Sequence, residues 1–142
     1  MSRIDLHIHS NYSDGLYSPT MIVEKASRAG LKAISITDHD SILGIDEAIL
    51  AGEKLGVEVV SGVELSSYAG DEGVHVTGLF VNYKDENLKE FLDFFAKHRR
   101  IRGEKIIKKL NDLGINIRLE DALKYASRGP LGRPHIAQAL VD

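Results

Sequence analysis

Imidazoles and carboxylates recur at one kind of place in this chain, the point where a β-rich run gives way to a turn. His7 and His9 close the first such run and Asp14 follows in the next turn; Asp38, His39 and Asp40 close the second run, and Glu64 closes the third. In an extended strand, residues two apart point the same way. His7 and His9 therefore leave one face together, with Asp5 one step deeper on it and Leu6 and Ile8 on the other. Asp5 is placed to accept an N–H from one of the rings. Alone, the HIH triplet reads equally well as a polar strand end. Carboxylates collect in the loops of every protein, but histidines are scarce, and their return at the same end of successive runs singles these positions out. Imidazole with carboxylate and without thiolate suits zinc, manganese or iron(II). Several carboxylates can bridge two or three such ions. Clusters of that kind generate hydroxide near neutral pH and clamp both oxygens of a displacement, which fits an anionic ester, above all a phosphate.

The other histidines read differently on their own. His75 begins the run GVHVTGLF, whose apolar neighbours suggest burial and a hydrogen-bonded core role. His135, in LGRPHIAQAL, sits one residue into a helix, where bonding to a carbonyl is the ordinary task. His98, in FFAKHRR, lies at the edge of a helix's apolar face and reads as a core-rim residue. Ser10 and Ser41 stand near histidines, but neither sits in a nucleophile-elbow pattern, and no glycine-rich phosphate loop is present. Arg99, Arg100 and Arg102 cluster in HRRIRGEK, either as a solvated helix face or as charge for a phosphate; Arg133 adjoins His135.

The elements that must position these groups follow from the pattern. With 142 residues, 43% hydrophobic and 27% charged, the chain can fill one core. Its net charge of -3 gives no basic field for duplex nucleic acid or an acidic membrane surface. The absence of cysteine excludes disulfides, thiolate metal sites and a cysteine nucleophile. No apolar run approaches the ~20 residues of a membrane span, and the opening MSRIDLHIHS is no signal peptide, so a cytoplasmic location is expected. Strands are expected at Arg3–Ile8, Lys32–Thr37, Val57–Glu64 and Val74–Val81. Ser18 and Pro19 open a helix that Gly30 stops; a second runs from Ile45 to Leu55 before Gly56. SSYAGDEG reads as a polar loop too short for a helix, leaving strands three and four as a hairpin-like pair. Helical spacing runs from Asn87 to Leu113, with Gly103 as a candidate break, then over Leu119–Ala126, and again from Pro134. The β-α-β-α-β order implies parallel strands whose C-terminal ends form one rim, where ligands of such folds bind.

DLHIHSNYSDG, ITDHD, GVELSS, HVTGLF and GRPHIAQAL, in that order and over essentially the whole chain, resemble the PHP (polymerase and histidinol phosphatase) family, most of all its stand-alone, TrpH-like metal-dependent phosphoesterases. The resemblance implies an α/β fold, a distorted (β/α)7-type barrel with helices outside and two or three divalent ions at its rim. It implies His7, His9, Asp14, His39, Glu64, His75 and His135 as metal ligands, with Glu64 bridging two ions and Glu64, His39 and Asp14 central to catalysis. That displaces the separate readings of His75 and His135 and leaves His98 as core. Arg133 and Arg99 become the cations for the substrate's phosphate. The implied activity is hydrolysis of phosphate esters, as phosphorylated small molecules or short oligonucleotides. Histidinol-phosphate phosphatase and a non-catalytic metal-stabilised module are the alternatives, whereas an amide-hydrolysing barrel would need a lysine or later ligands not present. The family's pattern also supplies a late Asp and a late His that this sequence lacks. The expectation is one PHP domain over residues 1–142, an N-terminal portion without its closing strands, in which 87–142 is a helical, inserted subdomain. Such a portion alone should bind metal incompletely and be weakly active or inactive.

Overall fold

Three parallel strands frame the rim. In the computed structural model, which describes residues 3–70, 72–126 and 128–142, β1 (Arg3–Ile8), β2 (Leu31–Ile36) and β3 (Glu58–Ala69) pair in parallel, and β4 (Glu72–Leu79) adds to β3 in antiparallel sense, in the order β1-β2-β3-β4. The mixed sheet and its helices make a half-barrel. The β1–β2 register slips between Asp5 and Ile8, the stretch that carries His7. Irregularities of this kind re-aim side chains next to functional sites.

The helix α1 (Pro19–Arg28) begins as its sequence dictates: the Ser18 hydroxyl accepts the Met21 N–H at 3.2 Å and Pro19 fills the first turn. Helix α2 (Ile45–Leu55) ends at Gly56 in the left-handed conformation, φ 69°. Both pack on the sheet around Val23, Ile34, Ile36 and Ala48, all essentially without solvent contact. Truncating Ile34 to alanine in such a setting costs about 2–5 kcal/mol. Ala29 and Leu55, on the expected apolar faces, are exposed at the helix ends.

Several expectations change beyond residue 65. Of SSYAGDEG, whose Asp71 lies outside the described residues, most is strand rather than loop: β3 runs on to Ala69 and pairs with β4 from Gly62–Leu79 to Ala69–Glu72, because alternate residues of the polar stretch can face water while its backbone groups pair. Nor does Gly103 break its helix. Helix α3 (Glu86–Asp112) is continuous for 27 residues, and Gly103 is buried where a side chain would drive into Leu131, its Cβ only 3.1 Å from Leu131 Cγ. The glycine serves close packing between α3 and the segment ahead of α5. Helix α4 (Leu119–Leu123) is shorter than expected and α5 (Arg133–Val141) starts one residue earlier. Together α3, α4 and α5 enclose an apolar cluster of their own, Ile107, Ile117, Ala122, Leu131 and Ile136, while Ile42, Ile45, Val63 and Leu92 join α3 to the sheet.

Candidate metal centre

Glu64 is the hub. It lies within β3, buried, and three imidazoles reach its carboxylate: His7 Nε2 and His9 Nε2 each stand 2.9 Å from Oε2, and His75 Nδ1 stands 2.9 Å from Oε1. His9 Nδ1 lies 2.9 Å from Asp14 Oδ1. His39 faces both carboxylates, with Nε2 3.7 Å from Asp14 and Nδ1 3.6 Å from Glu64. These contacts resolve into three groups, His7–His9–Glu64, His9–Asp14–His39 and His39–Glu64–His75, in each of which one donor atom per residue lies within 4.8 Å of the others. Every pair of groups shares one residue. The first is the tightest, with its two imidazole nitrogens 3.1 Å apart.

That spacing fits a bound cation. Donors about 2.1 Å from one ion in a tetrahedral shell stand roughly 3.4 Å from each other. His39 Nδ1 is buried with no hydrogen-bond partner among the described residues, an arrangement that is costly for a polar atom unless an ion satisfies it. The protonation state of His39 agrees. Burial, and after it the Arg99 charge, push His39 below the usual histidine range, which keeps the lone pair that a cation needs. His9 holds Asp14 ionised, its pKa down at about 2, and Asp14 in turn raises His9. Burial works against the Glu64 carboxylate, but His39, His7 and His9 outweigh it and keep the group below its ordinary value.

The two aspartates around His39 have other tasks. Asp38 accepts the Ser10 N–H at 2.7 Å and the hydroxyls of Ser10 and Ser13 at 2.5 and 2.6 Å, fastening the turn that carries Asp14. Burial raises its pKa. Asp40, in a left-handed conformation at φ 49°, accepts the Ser66 N–H and hydroxyl, each at 2.8 Å, and Arg99 Nε at 2.5 Å. Arg99 Nη2 donates to Ser66 Oγ at 2.7 Å. Ser10, Ser13 and Ser66 were not singled out as supports in the sequence; their only signal is adjacency to the histidine motifs. Asp5 accepts the His7 backbone N–H at 3.3 Å rather than a ring N–H.

Two residues are placed differently from expectation. His135 is buried outside the cluster, its Nδ1 accepting the Gly132 N–H at 3.0 Å, with burial lowering its pKa against the pull of the Ser13 backbone. The GRPH turn consumes a ring nitrogen locally. His98 is exposed and packs on Phe94 in a tilted arrangement, 4.3 Å between centroids, so it is not a core residue. His75 lies within the cluster and is exposed, because β4 is an edge strand with little above it.

Beside the imidazoles opens a cleft of about 300 Å³ walled by Asp14, His39, His75, Arg99, Arg102 and Arg133. A larger cavity of about 630 Å³ lies between α3 and the segments at 40–43 and 128–131, but it meets none of the imidazoles. The smaller cleft is the one that adjoins the candidate ligands. Among the described residues no helix is long and apolar enough to cross a membrane.

A half-barrel whose strand ends gather histidines around a shared glutamate defines the class of protein. Residues 5–99 match the PHP domain family, and the chain belongs to it. It is 36% identical over 140 residues to a 5'-3' exoribonuclease of Haemophilus influenzae, covering 99% of this chain and 51% of that protein. It is 32% identical over 143 residues to a 3',5'-nucleoside bisphosphate phosphatase of Chromobacterium violaceum, covering 100% and 50%. A crystal structure from Bifidobacterium adolescentis, put forward as a metal-dependent phosphoesterase, superposes with a TM-score of 0.90 at 32% identity, over 97% of this chain and 49% of that one. The chain spans about half the length of the curated relatives it matches.

Proposed function

We propose that this chain carries the metal-binding part of a phosphoesterase that hydrolyses phosphate esters of nucleotides or short RNA. The observation that carries the reading is the set of three interlocking donor groups, two of which border a cleft walled by three arginines. His7, His9, Asp14, His39, Glu64 and His75 would hold two or three divalent ions, zinc, manganese or iron, with Glu64 shared between two of them. Such ions supply Lewis acidity to a phosphoryl group and lower the pKa of water. The protein's own groups do the rest. Arg133 and Arg102 offer guanidinium charge to phosphate oxygens in a geometry suited to bidentate contact. Arg99 adds positive potential to the same wall while its donors hold Asp40 and Ser66. Asp14, kept ionised by His9, presents an acceptor oxygen to the cleft. His135 supports the turn before α5 and thereby fixes Arg133. Residues 1–142 form one PHP unit, with 87–142 as its helical subdomain.

The test is hydrolysis by the purified, manganese-loaded protein of a nucleoside 3',5'-bisphosphate, a short 5'-phosphorylated RNA, histidinol phosphate and a simple amide, with metal content measured by plasma mass spectrometry. Weak nucleotide or RNA turnover without amide turnover is the expected result for a chain of half its relatives' length. Protein that takes up no divalent metal, or that hydrolyses the amide in preference to every phosphate ester, would overturn the proposal.

A further inference from the structure

Glu64, Ser66 and Tyr68 alternate along one side of β3, and each serves a different neighbour. Glu64 faces the imidazoles and Ser66 meets Asp40 and Arg99. Tyr68, 67% exposed, lines a second cleft of about 390 Å³. The opposite wall of that cleft is α3, which presents Phe94, 56% exposed, with His98 packed against it at a tilt of 51°, and then Arg102 and Lys105 one and two turns beyond His98. Arg99 and Arg102 border both this cleft and the one beside the donor cluster, so the two adjoin. Along the strand, Tyr68 lies four residues from Glu64, about 13 Å at ~3.3 Å per residue.

This combination is uncommon on a water-facing surface. Large apolar rings left exposed in a patch mark a binding surface. The rings do not lie on a plain greasy face: cations flank them on the side toward the donor cluster. Aromatic faces beside guanidinium groups, along a groove that tracks phosphate charge, are how proteins hold single-stranded nucleic acid. Each base then stacks irrespective of its identity, and arginine adds a cation–π component. An aliphatic or peptide partner would leave Arg102 and Lys105 without counter-charge.

We infer that Phe94, His98 and Tyr68 form a stacking shelf for a nucleobase of a substrate whose phosphate lies in the adjoining cleft, with Arg102 between them contacting the phosphodiester. The inference rests on the phosphoesterase reading of the site and extends it: the substrate is a nucleotide or single strand held by its base, without sequence preference, rather than any small phosphate ester.

The test is binding, read apart from turnover. A 5'-phosphorylated dinucleotide carrying 2-aminopurine is titrated against metal-free protein, because stacking on an aromatic ring quenches its fluorescence. The wild-type protein quenches the probe, and Phe94→Ala and Tyr68→Ala each weaken binding about 10-fold and relieve the quench. Ribose 5-phosphate, which lacks a base, competes equally well against wild type and variants. Phe94→Tyr retains the quench. Absence of quenching by the wild type, or an equal loss of affinity for ribose 5-phosphate in the alanine variants, would overturn the shelf. Binding with quench by protein that takes up no divalent metal would leave the shelf standing and remove the metal-dependent reading of the site instead.

Discussion

His39 and Glu64 are registered by their main chains before their side chains meet. Glu64 N–H donates to the Asp38 carbonyl at 3.1 Å and Asp40 N–H donates to the Glu64 carbonyl at 2.9 Å, a parallel bridge that continues the β2–β3 ladder past the end of β2. The imidazole and the carboxylate are thus set side by side by peptide hydrogen bonds. The site is preorganised by the sheet, whose elements hold geometry more tightly than loops.

If Glu64 joins two of the donor groups, removing its charge should empty more than one ion position. Glu64→Gln is expected to lower metal content by at least one ion per chain and to reduce ester hydrolysis about 100-fold or more. Plasma mass spectrometry and a phosphatase assay on the same sample check it. Unchanged stoichiometry and rate would remove Glu64 from its bridging role.

The Asp40–Arg99 pair is buried at both ends. Removing one partner of such a pair strands the other charge and costs about 3–5 kcal/mol. Arg99→Met should therefore unfold at distinctly lower denaturant concentration than wild type. Arg99→Met combined with Asp40→Asn should recover part of the loss. A single variant as stable as the wild type in urea would contradict the structural role assigned to this pair.

Gly129 sits against the Tyr12 backbone, where a Cβ would collide with the Tyr12 carbonyl. Main chain cannot swing aside as a side chain can. Gly129→Ala is expected to cost about 1–3 kcal/mol, the range for overpacking. The loss should fall on the contact between the α4–α5 connection and the turn carrying Asp14. Hydrogen exchange of residues 10–15 would rise with it; protection equal to wild type would refute the coupling.

Donors brought together only by folding bind ions in the native state and not in the unfolded one. Manganese or zinc at 100 times its dissociation constant should add about 2.7 kcal/mol of stability, and a chelator should withdraw it. The melting temperature, followed with and without chelator, reports this. His39→Ala should blunt the response. Full metal-dependent stabilisation in that variant would argue against His39 as a ligand.

Much of the frame was legible because the signals were local. Ser18, Pro19 and Gly30 mark α1 by capping chemistry that needs no tertiary information. The placement of His7, His9 and His39 at or just past strand ends follows from alternating β and α runs; Glu64, expected to close its strand, lies inside the longer β3, and the side chains do converge. What stayed hidden depends on partners distant in the chain. Gly103 reads as a helix breaker until Leu131 is seen against it. Asp38 and Asp40 look identical to ligands, and only serines 28 and 26 residues away, with Arg99 at 59, show what occupies them. The apolar neighbours of His75 suggest burial, a reading that the family resemblance displaces; in an edge strand they need not be covered, and Val74 and Val76 are themselves 39% and 51% exposed.

That edge position has a consequence of its own. His75 rides on the least sheltered segment of the sheet, while His7, His9 and His39 are anchored near its parallel trio. Opening of the β3–β4 hairpin would therefore withdraw one nitrogen and leave the others in place. An ion held by the His39–Glu64–His75 group would act as a clasp on that hairpin, and its loss would free the hairpin's outer end, which also carries Tyr68.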